Sequence, residues 1–204
     1  MEFETAMLTD CFGGMPGLRF RQVVTSVVLA MVWTAAHAGD ARLVYYDVAG
    51  TSASKLREAM NMAGPLDESG KRFDGRTTWW VAWNFRYASD GGQCKFTSMS
   101  TSLDATIVLP RWVHGDRASR SLERKWDSYQ AALRRHEDGH YAHGLAAERE
   151  IEALGRSFHV AGACSTIAKA FNDEAGSIVA KYQALDAKYD LDTDHGENQG
   201  ATFP

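Results

Sequence analysis

The feature that most constrains this fold is one long amphipathic helix, predicted from Leu122 to Leu154. Its apolar residues recur at gaps of three and four, which marks one buried face: Leu122, Trp126, Tyr129, Leu133, Ala147, Ile151 and Leu154. Three histidines, His136, His140 and His143, continue this face between its two apolar halves without a break in register. Buried imidazoles cost free energy unless they find partners. A metal ion is one partner that would satisfy two or three of them at once.

The first two histidines belong to the sequence His136-Glu-Asp-Gly-His140, which has the pattern H-E-x-x-H. Imidazoles one helical turn apart can ligate a single Zn²⁺ at about 2.0–2.1 Å. Glu137 is turned about 100° from His136, so its carboxylate reaches the rim of the same site without ligating. There it can take a proton from a zinc-activated water and pass it to a leaving amine. The alternative is a helix whose histidines are hydrogen-bonded in a core or partly solvated.

Residues 1–38 are predicted to be a signal peptide with an over-long start. Arg19 and Arg21 form a short basic region, residues 23–33 are largely apolar, and Ala36-His-Ala38 is a small-x-small cleavage signal. The apolar stretch is shorter than the roughly 20 residues that a membrane span needs. No cysteine follows the cleavage point, so a lipid anchor is not indicated. We therefore expect a bacterial protein that is periplasmic or secreted and has no stable membrane anchor.

The remaining residues, 39–204, are enough for one zinc-peptidase-like domain with its own core and a polar C-terminal tail. The full chain has 22 Lys and Arg against 26 Asp and Glu, a net charge of −4. It has no Lys/Arg cluster, so its charge gives no reason to expect nucleic acid as a partner. Cys94 and Cys164 are predicted to form a disulfide, because they are an even pair in an oxidising compartment. A thiolate metal pair is the alternative.

The domain is predicted to be α+β, with a small antiparallel sheet packed against a short helix and two long helices. Strands are expected at residues 43–48, 78–87, 93–101 and 105–109. A hairpin turn is expected at 89–92. The short helix ends at Gly64-Pro65 and buries Leu56 and Met60. The second long helix is expected at 165–189.

The third metal ligand is open at this point. Glu174 falls on the inward register of the second long helix, where a carboxylate could reach across a helix pair. His143 is as compatible with packing as with ligation. The tail from Tyr189 has the composition of a frayed end, but folded back over the helix it could complete a metal site with one of several ligands: Asp190, Asp192, Asp194 and His195.

Several segments of the chain form a combined pattern with the H-E-x-x-H helix. They are Tyr46-Asp-Val-Ala-Gly50, Gly64-Pro65, Trp79–Trp83, Cys94, Leu109-Pro-Arg-Trp112, Trp126, Cys164, Tyr189-Asp-x-x-Thr-x-His-Gly196 and Gln199-Gly-Ala201. Together they resemble the bacterial family DUF922, described as secreted zinc-dependent proteases. The resemblance implies a zinc peptidase. It also implies that the tail motif belongs to the site, which favours His195 as third ligand over Glu174, with Asp190 as the acidic variant.

We therefore expect a secreted zinc-dependent metallopeptidase that hydrolyses peptide or amide bonds of a peptide or protein substrate. His136, His140 and His195 are the expected Zn²⁺ ligands, and Glu137 is the expected general base. The alternative, from a different class, is an exported binding or structural protein. In that case four protein ligands close the metal site and leave no place for a water molecule.

Overall fold

The computed structural model describes residues 40–90, 93–113, 118–158 and 162–204. The predicted signal peptide lies outside the described residues, as do the two glycines, Gly91 and Gly92, of the predicted hairpin turn. The elements are β1 (Arg42–Val48), α1 (Ala53–Ala63), β2 (Arg76–Asp90), β3 (Gln93–Trp112), α2 (Arg120–Ser157), α3 (Cys164–Thr193) and a short 3₁₀ helix (Glu197–Gln199). The predicted α+β class is confirmed. None of the helices in these ranges is long and apolar enough to cross a membrane.

The three strands form one sheet in the order β1-β3-β2. β2 pairs antiparallel with β3 along its whole length, from Arg76 beside Val108 to Asp90 beside Gln93. β1 lies on the other side of β3 and pairs with it in parallel, from Arg42 beside Thr106 to Val48 beside Trp112. The sheet is therefore mixed rather than purely antiparallel. β2 runs opposite to both β1 and β3, so those two strands run in the same direction and pair in parallel where they are neighbours.

β3 is one strand of 20 residues, where the sequence predicted two shorter pieces. The residues between those pieces keep the alternation of a half-buried strand: Leu103 is buried, while Ser102 and Asp104 are exposed. All three pair with β2. The polar residues that suggested a break are therefore outward-facing positions of a continuous strand.

Helix α2 carries the face that its sequence predicts. Ser119 caps its N-terminus by accepting a hydrogen bond from the amide of Leu122 at 3.2 Å. Leu122, Trp126, Tyr129, Leu133, Ala147 and Ile151 are buried, and Leu154 is half-buried. His136 and His140 are also buried, with 3% and 9% of their surfaces exposed.

The interior is divided into two cores that share α2. The first core packs α1 and the N-terminal half of α2 on the sheet, and Ala201 and Phe203 complete it. The second core packs the hairpin end of β2 and β3 against the start of α3 and the C-terminal part of α2 at Ile151. The predicted disulfide between Cys94 and Cys164 is confirmed and joins this second core, with the two Cα atoms 5.0 Å apart. The histidines of α2 lie between the two cores.

The tail is ordered and returns to the body of the protein. α3 continues past its predicted end at Tyr189 to Thr193. Asp194 and His195 then adopt left-handed backbone conformations, with φ angles of 52° and 50°, which reverse the chain. After this reversal the ring of Phe203 packs against the aromatic side chains of the first core. The end of α3 is thereby held against the middle of α2.

Candidate metal centre

Three side chains from two helices meet at the middle of α2. The Nε2 atoms of His136 and His140, one turn apart on α2, are 3.3 Å from each other. Asp190, near the end of α3, places its Oδ1 3.2 Å from Nε2 of His136 and 3.1 Å from Nε2 of His140. The two histidine side chains are only 4% and 11% exposed, and that of Asp190 is 31% exposed. We call these three residues the His–Asp triad; their ligand atoms are close enough to hold one metal ion.

The other ring nitrogen of each histidine has an oxygen partner. Nδ1 of His140 lies 3.0 Å from Oδ1 of Asp186, and Nδ1 of His136 lies 3.2 Å from Oε1 of Gln199. Because the two partner atoms are oxygens that accept hydrogen bonds, each Nδ1 carries a proton and donates a hydrogen bond to its own partner. In a neutral ring the Nε2 atom then carries a lone pair. Two nitrogen lone pairs and a carboxylate oxygen therefore face one another, which favours a cation between them.

The spacing of these atoms fits a tetrahedral metal ion. Ligands at 2.0–2.1 Å from a tetrahedral Zn²⁺ are separated by about 3.3–3.4 Å. The three separations in the triad are 3.3, 3.2 and 3.1 Å. Imidazole nitrogen and carboxylate oxygen are both ordinary zinc ligands. The residues present thus fit this ion both in chemistry and in distance.

The electrostatics of the triad also indicate a positive charge at this position. For His140, burial lowers the pKa, but the hydrogen bonds with Asp186 and Asp190 outweigh burial and raise the pKa to about 10. For Asp190, burial raises the pKa, but the hydrogen bonds with His136 and His140 reverse the effect, so its pKa lies well below the ordinary value. A proton on His140 is one way to supply this charge, and a metal ion is the other.

Asp186 connects three elements of the fold at one carboxylate. Its Oδ1 contacts Nδ1 of His140 at 3.0 Å and Nδ1 of His143 at 2.6 Å, and its Oδ2 accepts a hydrogen bond from Nε1 of Trp79 at 2.7 Å. A partner of this kind fixes the orientation of a ligating imidazole. His140, His143 and Asp186 form a second possible metal group, but the hydrogen bonds account for these contacts. His143 therefore supports the site through Asp186 rather than through the triad.

Glu137 lies beside the triad and is held by β2. Its Oε2 accepts a hydrogen bond from Oγ1 of Thr77 at 2.7 Å. The backbone of Gly75 comes so close that a Cβ there would lie 2.7 Å from Oε1 of Glu137. Burial raises the pKa of this carboxyl, and the hydrogen bond from Thr77 and the charges of the two nearby histidines oppose that rise. A buried carboxyl with a raised pKa is suited to accept a proton and return it near neutral pH.

Asp190 contacts both histidines directly, whereas His195 reaches the triad only through its contact with Asp190. Nδ1 of His195 lies 3.5 Å from Oδ1 of Asp190, and its side chain is 43% exposed. Its ring centroid is 5.5 Å from that of Phe73. Glu174 is exposed on α3, where Ala175 takes the buried position, and it belongs to neither of the two His/Asp groups found in the described ranges.

The triad opens into a cleft of about 660 Å³. His136, Glu137, His140 and Asp190 line it, together with residues 71–77 before and at the start of β2. A cleft of this size can take a small ligand or part of a peptide. The triad is thus accessible from the cleft although its histidines are nearly buried.

Sequence reasoning missed three supporting residues: Thr77, Asp186 and Gln199. One signal was available for Asp186. It precedes Asp190 by one helical turn, the same spacing that separates His136 from His140, so the two carboxylates lie on one face of a helix. Thr77 and Gln199 reach the site through tertiary contacts, which local sequence spacing does not reveal.

Comparison with known protein families gives a match over most of the chain. The family described as "Bacterial protein of unknown function (DUF922)" matches residues 43–196. The matched range contains the triad, Glu137 and both cysteines of the disulfide, and the description assigns no activity. Comparison with curated proteins and with solved structures found no match. The chain belongs to the DUF922 family.

Proposed function

We propose that this protein is a zinc-dependent hydrolase of peptide or amide bonds. One observation carries the proposal: the ligand atoms of His136, His140 and Asp190 converge at separations of 3.1–3.3 Å on the wall of an accessible cleft, beside Glu137. Three protein ligands with an open fourth position are typical of catalytic zinc sites. This proposal takes Asp190 as the third ligand, because its carboxylate lies within 3.2 Å of both histidines. The expected His195 contacts Asp190 alone among the three residues of the triad, at 3.5 Å.

Zinc bound here would polarise the scissile carbonyl and lower the pKa of a water molecule. Glu137 accepts the proton of that water and returns it to the leaving amine. Thr77 holds the Glu137 carboxylate by its hydrogen bond at 2.7 Å. Asp186 and Gln199 keep the Nε2 lone pairs of the two histidines directed at the site through their contacts with Nδ1.

We also propose that the protein acts outside the cytoplasm. The disulfide between Cys94 and Cys164 supports this location, because such bonds form and persist in oxidising compartments. The basic, apolar and small-x-small pattern of residues 1–38 supports it from the sequence. Mass spectrometry of the protein from periplasmic and medium fractions tests this proposal, and we expect a mature N-terminus at Gly39. Recovery of the intact precursor from the cytoplasm alone would contradict it.

The hydrolase is tested by combining metal analysis with Glu137→Gln. Metal analysis of the parent protein should give about one zinc per chain. The parent protein should also cleave a mixed peptide library, with the products detected by mass spectrometry. Glu137→Gln should keep the zinc and lose about 10²–10⁴-fold in rate, the usual contribution of general acid–base catalysis. Asp138→Asn is the matched control, because the Asp138 carboxylate is 44% exposed and pairs with Arg134.

Two outcomes would change this proposal. Undiminished cleavage by Glu137→Gln would refute the mechanism. One tightly held zinc without cleavage of any peptide, and unfolding when the metal is removed, would instead support the alternative of a closed structural metal site. His195 is the residue to test as its fourth ligand, because it already contacts Asp190.

A further inference from the structure

One wall of the cleft carries several cations although the chain as a whole has a net charge of −4. This wall is formed by α1 and by the segment that leads from α1 into β2. Its cationic side chains are Arg57, Lys71, Arg72 and Arg76, and its acidic ones are Asp67 and Asp74. We call these six residues the cationic wall.

Part of this charge is neutralised within the wall. Arg57 donates two hydrogen bonds to the carboxylate of Asp74, at 2.8 and 2.7 Å. Asp67 is engaged by its own loop, where its Oδ1 accepts hydrogen bonds from the amide of Ser69 at 2.9 Å and from the amide of Lys71 at 2.8 Å. Because Arg57 and Asp74 neutralise each other, neither contributes to the net charge of the wall.

Three cations of the wall are left to face the cleft with only Asp67 to offset them. Arg72 and Arg76 donate to backbone carbonyl oxygens, contacts that hold the guanidinium groups without neutralising them. Nζ of Lys71 lies 4.6 Å above the ring of Phe73. Within the described ranges, no carboxylate forms a salt bridge with any of the three. Each guanidinium has five N–H donors, so one carbonyl contact leaves others available.

The two sides of the cleft are therefore opposite in charge. Glu137, Asp186 and Asp190 surround the histidines, and the cation of the proposed metal site would balance this negative charge. Among the residues that the structure describes, the cationic wall keeps a net positive charge, because only Asp67 offsets Lys71, Arg72 and Arg76. Fixed guanidinium groups match the planar geometry of a carboxylate and bind it by paired hydrogen bonds.

Building on the proposed hydrolase, we propose that the cationic wall binds a carboxylate of the peptide substrate, close to the bond that is cleaved. Lys71, Arg72 and Arg76 recognise this group. The carboxylate belongs either to an Asp or Glu side chain or to the free C-terminus of the peptide. Glu197 also lines the cleft, and its negative charge opposes the binding of a carboxylate there. Neutralising Glu197 should therefore strengthen the preference of the cleft for a carboxylate.

The test measures binding to the zinc-loaded, full-length Glu137→Gln protein, which separates recognition from cleavage. Four alanine-based hexapeptides carry the same neutral methoxycoumarin label. One has a central Glu and an amidated end, one a central Gln and an amidated end, one a central Gln and a free C-terminal carboxylate, and one a central Lys and an amidated end. Fluorescence anisotropy at low salt gives Kd for each. A preference of about two- to fivefold for each exposed ion pair is expected.

Two charge-reversal variants test whether the cationic wall is the part of the cleft that binds the carboxylate. Lys71→Glu changes an exposed side chain that contacts the nearby ring of Phe73, and Arg76→Glu changes a guanidinium. The matched control is Lys125→Glu, an exposed position of α2 that does not line the cleft. We expect Lys71→Glu and Arg76→Glu to abolish or reverse the preference for a carboxylate, and Lys125→Glu to retain it. Glu197→Gln should increase the preference.

The four peptides distinguish the sources of the carboxylate. Tighter binding of the Glu peptide supports side-chain recognition, and tighter binding of the free acid supports recognition of the C-terminus. Equal Kd values for all four, or no binding at millimolar concentration, would overturn the inference, as would a preference that Lys71→Glu and Arg76→Glu both leave intact. If the carboxylate preference is found but the parent protein cleaves no peptide, the inference stands and the hydrolase proposal fails.

Discussion

Replacing Asp190 by asparagine tests the proposed metal centre at its most informative position. The substitution keeps the shape of the side chain but removes the negative charge that lies 3.2 and 3.1 Å from the Nε2 atoms of His136 and His140. A neutral amide is a much weaker zinc ligand than a carboxylate. Because Asp190 lies on the rim of the cleft, with 31% of its side chain exposed, we expect the fold to tolerate the change.

The size of the effect follows from the number of ligands. Structural zinc sites bind with about 10–16 kcal/mol, shared among four ligands, so one ligand contributes about 2.5–4 kcal/mol. The loss of one ligand therefore weakens zinc binding by about 10²–10³-fold. Asp190→Asn should show an effect of this size. His195→Asn should weaken zinc binding less than about tenfold, because His195 contacts only Asp190 among the residues of the triad, at 3.5 Å.

The assay is competition for zinc against a chromophoric chelator at fixed pH. Asp192→Asn is the matched control, since this neighbouring carboxylate is 59% exposed and pairs with Lys188 on the surface of α3. Thermal unfolding in the presence of a chelator checks that each variant folds like the parent. Parental zinc affinity in Asp190→Asn, with a large loss in His195→Asn, would refute the assignment and restore His195 as the third ligand.

Three further predictions follow from other contacts of the site. Asp186→Asn should weaken zinc binding about 10–100-fold in the same competition assay, because Asp186 orients His140 from behind; unchanged affinity would contradict this role. In a denaturant titration, Gly139→Ala should lower the free energy of unfolding by about 1–3 kcal/mol, because the added Cβ would lie 2.5 Å from the hydroxyl of Tyr189. The control is Gly176→Ala, whose Cβ would have nothing within 4 Å, and it should be neutral or stabilising. Zinc binding at pH 8 should release about one proton in calorimetry with buffers of different ionisation enthalpy, because the metal-free His140 has a pKa of about 10. The affinity should therefore rise with pH up to that pKa, and an affinity independent of pH would count against His140 as a ligand.

The helix that carries the histidines could be predicted because local spacing determines it. Its apolar residues keep one register from Leu122 to Ile151, and Ser119 supplies the cap. The pairing of the strands could not be predicted in the same way. Alternation tells which residues of β3 face inward, but not that β1 lies beside it in parallel, since pairing depends on contacts between residues far apart in sequence.

The end of α3 shows why the site was only partly predictable. The apolar residues of this helix include Leu185, which is 39% exposed, whereas the register that faces the site continues through Asp186 and Asp190. A hydrophobicity pattern cannot recognise a helix face that turns polar because it points at a polar site. The polar tail likewise has the composition of a frayed end, and it is ordered by Phe203, whose ring enters a core built by other segments.

The two cores that share α2 have a consequence for how the molecule opens. Separate cores can exchange their amide protons as separate cooperative units. The first contains Leu133 and the second Ile151, and the histidines lie between them on the same helix. α3 begins in the second core at Ile167 and ends beside the first. A cation held between α2 and α3 would therefore connect the two units, and slower exchange should extend into the disulfide-linked core, far from the bound ion.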